Sequence, residues 1–335
     1  MSTHTTIDDR AHGALLGLAI GDALGMPTQS LARETIRERY GRITGFLGAD
    51  DAQPIAPGMP AGSVTDDTEQ AVLVGRLLVE GDGRIDAHVL AQALLDWEAS
   101  MIERGSFDLL GPSTKAALAA LQAGTPIEEA GRYGTTNGAA MRIAPVGIAY
   151  PVGRGLLEAV VGASRVTHHT GLGISGAAAI AAAVSAGIDG EWVPSALEAA
   201  VDAARDGERL GHWIAGASIA ERFQAVRPRA RTLGERAFAD FLYQVVGTSV
   251  QSQESVVSAL LIADRYHERP FEGLTVAASL GGDTDTVAAM AGAVLGACRG
   301  AAAFPPEAGA IVESVNALDL EPLANRLLAL RRRAE

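Results

Sequence analysis

A chain of 335 residues is long enough for one large domain or two small ones. Its net charge of −13 and pI near 5.0 speak against nucleic acid as a partner and suit a protein that gathers divalent cations. Hydrophobic residues make up 48% and aromatic ones only 4%, so Ala, Leu and Val must form the core; that calls for close-packed helices and a single all-α domain over 1–335. The lone cysteine, Cys298, sits in an apolar helical pattern and reads as a buried thiol with no disulfide to form. Residues 1–10 are polar and acidic, unlike a signal peptide. The longest apolar run, 176–188, is short for a membrane span and stops at Asp189. A cytoplasmic protein without a membrane partner is the expectation.

In chain order, the first predicted helix covers 12–25, with small residues on one face and leucines on another. Asp22 interrupts it, and a charge in so apolar a helix needs a partner. Either it caps a neighbouring helix end or it stands behind a metal site. Residues 26–60, rich in Gly, Pro and acids, read as a long loop around one short helix at 33–40, with Gln29 at its start. A helix over 68–80 follows, closed by Gly81 and Gly83. It opens with Ser63-Val64-Thr65-Asp66-Asp67-Thr68-Glu69, in which Ser63 and Asp66 have capping-box spacing. Capping accounts for one acid, not for Asp66, Asp67 and Glu69 together. Like charges about 4 Å apart repel by roughly 4 kcal/mol at an effective dielectric of 20, and divalent cations reverse that sign.

Helices predicted over 85–100 and 113–122 flank a loop, 104–112, with Asp108 in its middle. Gly134-Thr135-Thr136-Asn137-Gly138-Ala139-Ala140-Met141-Arg142 contains a strong Asn-Gly turn signal. It is either a plain connection or a place where backbone N–H groups approach a phosphate or sugar. In 165–170 two adjacent histidines precede an Ala-rich segment, 176–187. Such neighbours point apart and make poor co-ligands; His168 is either a cap or packing residue or a substrate contact. Charge concentrates in 191–236, read as surface helices and loops. Helices over 233–246 and 255–266 come next, the second behind a hydroxyl-rich cap at 247–254. A last helix, 320–333, closes a core of about 13–300, its terminal arginines suiting the helix dipole.

The rest is organised around Gly281-Gly282-Asp283-Thr284-Asp285-Thr286, which opens an apolar helix over 287–297. A helix start needs one capping residue, not a row of oxygen-bearing side chains. Asp283 and Asp285 would point about 200° apart in a regular helix. To converge they must lie on the turn before it, which the glycine pair permits. Joined to the upstream cluster, Thr65, Asp66, Asp67, Asp283, Asp285 and Thr286 form a set of hard oxygen donors with no Cys or His. That set suits Mg²⁺ or Mn²⁺, admits Ca²⁺ and disfavours Zn²⁺; its four carboxylates point to two ions.

Gly21-Asp22-Ala23-Leu24-Gly25, Thr65-Asp66-Asp67-Thr68, Asn137-Gly138 with Met141-Arg142, Thr167-His168 and Gly281-Gly282-Asp283-Thr284-Asp285-Thr286 follow in this order. Together they resemble the ADP-ribosylglycohydrolase family from about Gly13 to Ala297. Each motif alone is weak; five in order are specific. The resemblance implies an all-α fold with a binuclear Mg²⁺ or Mn²⁺ centre at the mouth of a cleft, its ligands falling on the same six residues. It implies ions that hold a ribose diol, and hydrolysis at the anomeric carbon through an oxocarbenium-like state with a positioned water. Asp66, Asp67 and Asp285 would be its catalytic carboxylates, and Gln29, Asn137, Gly138, Met141 and His168 would contact the substrate.

The chain departs from the pattern in three places. Gln29 stands where many relatives carry Glu, and an amide takes no proton from water at neutral pH. Asp108, in a loop one residue longer than the family's Asp-Ile-Gly segment, is the candidate to replace that base. Thr136-Asn137-Gly138 stands where Gly-Asn-Gly is usual, which narrows the cleft wall. The leading reading is a metal-dependent hydrolase of a ribosyl N-glycosidic bond. Its substrate is an ADP-ribosylated protein side chain or a small nucleoside-like ribosyl compound, and Gln29 favours the small molecule. The alternative is a catalytically silent ligand-binding or structural relative that keeps the metal site. Phosphoryl transfer is weaker, for want of a Gly-rich phosphate loop with a following Lys.

Overall fold

A computed structural model describes residues 5–105 and 110–334. Among them helices carry the whole architecture, and the only β pairing consists of isolated bridges. The N-terminal half runs α1 (Ile7–Gly25), α2 (Arg33–Tyr40), α3 (Asp66–Glu80), α4 (Ala87–Glu103), α5 (Pro112–Gln122), α6 (Ile127–Ala130), α7 (Gly138–Met141) and α8 (Ala144–Ala149). Then come α9 (Arg154–His168), α10 (Gly171–Ile188), α11 (Val193–Glu208), α12 (Ile219–Thr232) and α13 (Glu235–Phe241), the last continued by a π turn, Leu242–Val246. The chain ends with α14 (Ser252–Tyr266), α15 (Pro270–Ala278), α16 (Thr284–Arg299), α17 (Pro306–Asn316) and α18 (Leu320–Ala334).

The central contact joins the first helix to one near the end of the chain. Gly13, Gly17, Gly21 and Gly25 recur every fourth residue and so share one face of α1. That face lies against the backbone of α16: a Cβ built on Gly21 would fall 2.1 Å from Ala288 O, and one on Gly17 2.2 Å from Gly292 O. Only glycine lets the two backbones approach this closely, as in small-residue helix seams elsewhere. The seam ends at Gly25 against Asp285, so it fixes the start of α16 beside the end of α1.

Helix α10 is buried along its whole length, packed among α8, α9, α11 and α16. It starts at Gly171, earlier than its Ala-rich run suggests, with Thr170 as its cap. At mean hydropathy 1.7 over 18 residues it is long and apolar enough to cross a membrane, yet every residue is enclosed by protein. The predicted helices are present with ends shifted by a few residues. Six others, the short α6, α7 and α8 together with α9, α15 and α17, had no counterpart in the sequence reading. Because α9 ends at His168, the paired histidines straddle a helix C-terminus instead of merely preceding a helix.

Candidate active site

The first acidic cluster is built on α3. Thr65, not Ser63, is its N-cap, its hydroxyl accepting from Asp67 N. The second cap comes from across the fold. Asp22 of α1, fully buried, accepts from Thr65 N and Oγ1 (3.0 and 2.7 Å) and from Thr68 N and Oγ1 (3.1 and 2.5 Å). Burial pushes its carboxyl up to about 6, against the pull of the hydrogen bonds from Thr68 and Thr65. Asp22 therefore caps a neighbouring helix, and it does so directly behind the cluster. Glu69 leaves the crowd altogether. It points to the other side of α3, taking Trp97 Nε1 at 2.5 Å and Arg104 at 3.1 Å.

The second cluster is built on the turn before α16. Gly281 and Gly282 have φ of +87° and +82°, which a side chain would strain. This turn is pinned on both sides: Gly282 N donates to Leu31 O at 3.0 Å and Asp283 N to Thr248 O at 2.7 Å. Asp283 takes the N-cap position and accepts from Asn137 Nδ2 at 2.5 Å. Asp285 and Thr286 lie in the first turn of α16. Thr286 Oγ1 then donates to Asp67 Oδ2 at 3.2 Å, which joins the two clusters across more than two hundred residues of sequence.

Electrostatics set the character of the junction. Burial, then Asp285, Asp66, Asp22 and Asp283, hold the Asp67 carboxyl well above the usual range. Burial, then Asp283, Asp22 and Asp66, do the same to Asp285. Asp283 is also raised by burial, with relief from Asn137. Two carboxylate oxygens, Asp67 Oδ1 and Asp285 Oδ1, are buried with no hydrogen-bond partner. Unmet buried acceptors are costly, and they sit where carboxylates already repel one another. Among the described residues, no three His, Cys, Asp or Glu side chains are gathered as a ready cation cage. The acids are instead turned onto the hydroxyls and amides around them, and two of the six candidate donors are threonine hydroxyls. Oxygen-only donors with two orphaned carboxylate oxygens fit hard divalent cations.

A cleft of about 300 Å³ opens onto this junction. Its wall includes Gln29, Asp66, Asn137, Gly138, Met141 and Asp283, with Asp285 and Thr286 at its floor. Thr65 and Asp67 are fully buried just behind it. Asp67 therefore reaches a substrate only through what it binds, not by contact. The Gln29 side chain is buried in the wall and its Nε2 has no partner. His168 does not line the cleft, contrary to its reading as a substrate contact. As the last residue of α9 it runs behind the wall, where a Cβ on Gly138 would lie 2.9 Å from its Cε1. Its Nε2 meets Thr136 Oγ1 at 2.9 Å, and burial drives its pKa well below the usual histidine value. Asp108 lies outside the described residues. Thr136 lines the cleft, in keeping with its reading as a residue that narrows the wall; Lys115 lines it too, and the sequence reading did not assign that residue to the site. It missed Gln70 and Arg142 as well, both fully buried behind Asp66. For Arg142 a signal existed, a cation closing the apolar stretch Gly138-Ala139-Ala140-Met141, the same kind of signal that marked Asp22.

Comparison with known proteins gives the family and the fold. A family model described as ADP-ribosylglycohydrolase matches residues 3–335. An uncharacterized protein of Escherichia coli (strain K12) is 34% identical over 98% of both chains. An ADP-ribosyl-[dinitrogen reductase] glycohydrolase of Rhodospirillum rubrum is 25% identical over 90% of each. A solved structure described as an ADP-ribosylglycohydrolase-related protein complex superimposes with a TM-score of 0.69 at 26% identity, covering 99% of this chain and 100% of its own.

Proposed function

This chain belongs to the ADP-ribosylglycohydrolase family, and from that premise we propose that it is a metal-dependent hydrolase of a ribosyl glycosidic bond. The family hydrolyses ADP-ribose glycosidic linkages. The observation that carries the metal reading is the pair of orphaned oxygens, Asp67 Oδ1 and Asp285 Oδ1, at the junction of the two acidic helix starts. Thr65, Asp66, Asp67, Asp283, Asp285 and Thr286 would hold two ions, Mg²⁺ or Mn²⁺. Bound there, the ions would offset the carboxylate charge and grip a ribose diol.

The chain's own residues would do the rest. Asn137, held by Asp283 and by Ser255 Oγ at 2.9 Å, makes a rigid wall beside the ribose. Asp66, Asp283 and Asp285 place negative charge where the anomeric carbon becomes cationic. As water oxygen bonds to that carbon, the bond to the leaving group breaks with its electron pair on the leaving atom, and the water proton passes to a wall carboxylate and from there to that atom. Gln29 cannot take this proton, and Asp66, a carboxylate that lines the cleft beside it, is the acceptor in this reading. The substrate class is an ADP-ribosylated side chain or a small nucleoside-like ribosyl compound. The amide at Gln29 and the modest volume of the cleft favour the smaller compound.

The test offers ADP-ribosyl-arginine and simple nucleosides side by side, with Mg²⁺ or Mn²⁺ and with chelator. The proposal requires release of the ribosyl leaving group from one of them and its loss in chelator. Inactivity on both would overturn it. A second reading, a silent relative that keeps the metals, is favoured by the neutral amide at Gln29. It predicts a melting temperature raised by Mg²⁺ with no turnover.

A further inference from the structure

Among the described residues, the entirely buried Arg142 side chain donates to neutral partners. Burial brings its pKa down only to about 10, so it stays charged. Enclosing a guanidinium is expensive unless its donors are used; here the two terminal nitrogens are used in two directions, and Nε has no partner among the described residues. One nitrogen donates to Gln70 Oε1 at 3.1 Å, and Gln70 Nε2 donates in turn to Asp66 Oδ2 at 2.9 Å. The other donates to Thr167 Oγ1 at 2.6 Å. Thr167 Oγ1 meets His168 Nδ1 at 2.8 Å, and His168 Nε2 meets Thr136 Oγ1 at 2.9 Å. The two arms end on two residues that line the same cleft, the acid Asp66 and the hydroxyl of Thr136.

We propose that Arg142 is a positioning residue that sets both sides of the cleft from behind, orienting the Asp66 carboxylate through Gln70 and the Thr136 hydroxyl through Thr167 and His168. The planar fork is what the task needs, because a single ammonium cannot serve two divergent acceptors in fixed directions. Gln70 is equally specific: its amide accepts from Arg142 and donates to Asp66, so it carries the cation's orientation without bringing another charge into the cluster. The hydrogen bond from Gln70 restrains rotation of the Asp66 carboxylate. The inference rests on the metal reading above.

Titration calorimetry of Mn²⁺ into the wild type, Gln70→Leu, Gln70→Asn, Arg142→Lys and Thr167→Val tests it, with the melting temperature of each metal-free protein as a check on folding. Groups that orient a metal ligand change affinity about 10- to 100-fold when lost. Gln70→Leu, Gln70→Asn and Arg142→Lys should each weaken Mn²⁺ about 10-fold while the metal-free melting temperature stays near that of the wild type. Gln70→Asn keeps the amide and is too short to span both partners, so it serves if the leucine variant fails to fold. Thr167→Val cuts only the histidine arm and should leave Mn²⁺ affinity within about twofold. It should raise KM for the active substrate with little change in kcat. Wild-type affinity in the Gln70 variants overturns the inference and leaves the metal reading intact. A wild type that binds no Mn²⁺ overturns both.

Discussion

Asp285 carries tension in the site: it is buried, close to three other carboxylates, and one of its oxygens has no partner among the described residues. Replacing it by asparagine removes a repelled charge and keeps the shape. The metal-free Asp285→Asn protein should therefore melt no lower than the wild type, while hydrolysis falls by about 100-fold or more. Activity within a few-fold of wild type, measured at saturating Mn²⁺, would contradict the placement of Asp285 in the site. At this scale the sequence was most legible where a residue type broke its surroundings. Asp22 in an apolar helix had to have a partner, and it caps α3. The same reasoning applied to Arg142 but needed the packing to say where the cation points. His168 misled because the sequence does not reveal that α9 passes behind the wall.

The helices supply the next level of control. Asp22→Ala would leave the N–H and hydroxyl donors of Thr65 and Thr68 unmet, at a cost of about 3 kcal/mol, read from denaturant unfolding. Gly21→Ala drives a methyl into Ala288 O and should cost about 3 kcal/mol in the same measurement. It should also impair hydrolysis, because the α1–α16 seam sets how Asp22 and Asp285 stand relative to one another. A Gly21→Ala protein as stable as the wild type would contradict the seam. The four-residue glycine spacing was visible in the sequence, and so was a small-residue face. Its partner was not, since any Ala-rich helix of this chain would have served. Helix α9 was missed although Leu156, Val160, Ala163 and Val166 mark its buried face.

Over the whole molecule, the cluster makes stability depend on protons and cations together. Asp22 has a folded pKa of about 6 against an ordinary 3.8. Its folded form therefore holds the proton more tightly than the unfolded chain. As pH rises from about 4 to about 6 the unfolded state releases its proton first, and stability falls. Asp67, Asp283 and Asp285 are shifted in the same direction. Asp264 acts oppositely, because Arg231 and Arg227 outweigh its burial, but its loss comes only below the ordinary carboxylate range. In chelator, the melting temperature should rise as pH is lowered from about 7 to about 5; Asp22 alone contributes roughly 1 kcal/mol over that interval. Saturating Mn²⁺ should flatten or reverse the slope, since the ions compete with those protons. A chelated protein that loses stability over that interval would contradict the electrostatic account.

The account as a whole depends on two acidic helix starts, one from each end of the chain, forming a single cation site. Anomalous diffraction at the manganese edge, from crystals grown with saturating Mn²⁺, reads this directly. Two anomalous peaks should lie between the starts of α3 and α16, within bonding distance of oxygens from Asp66, Asp67, Asp283 and Asp285. Well-ordered crystals with no peak at that junction would contradict it.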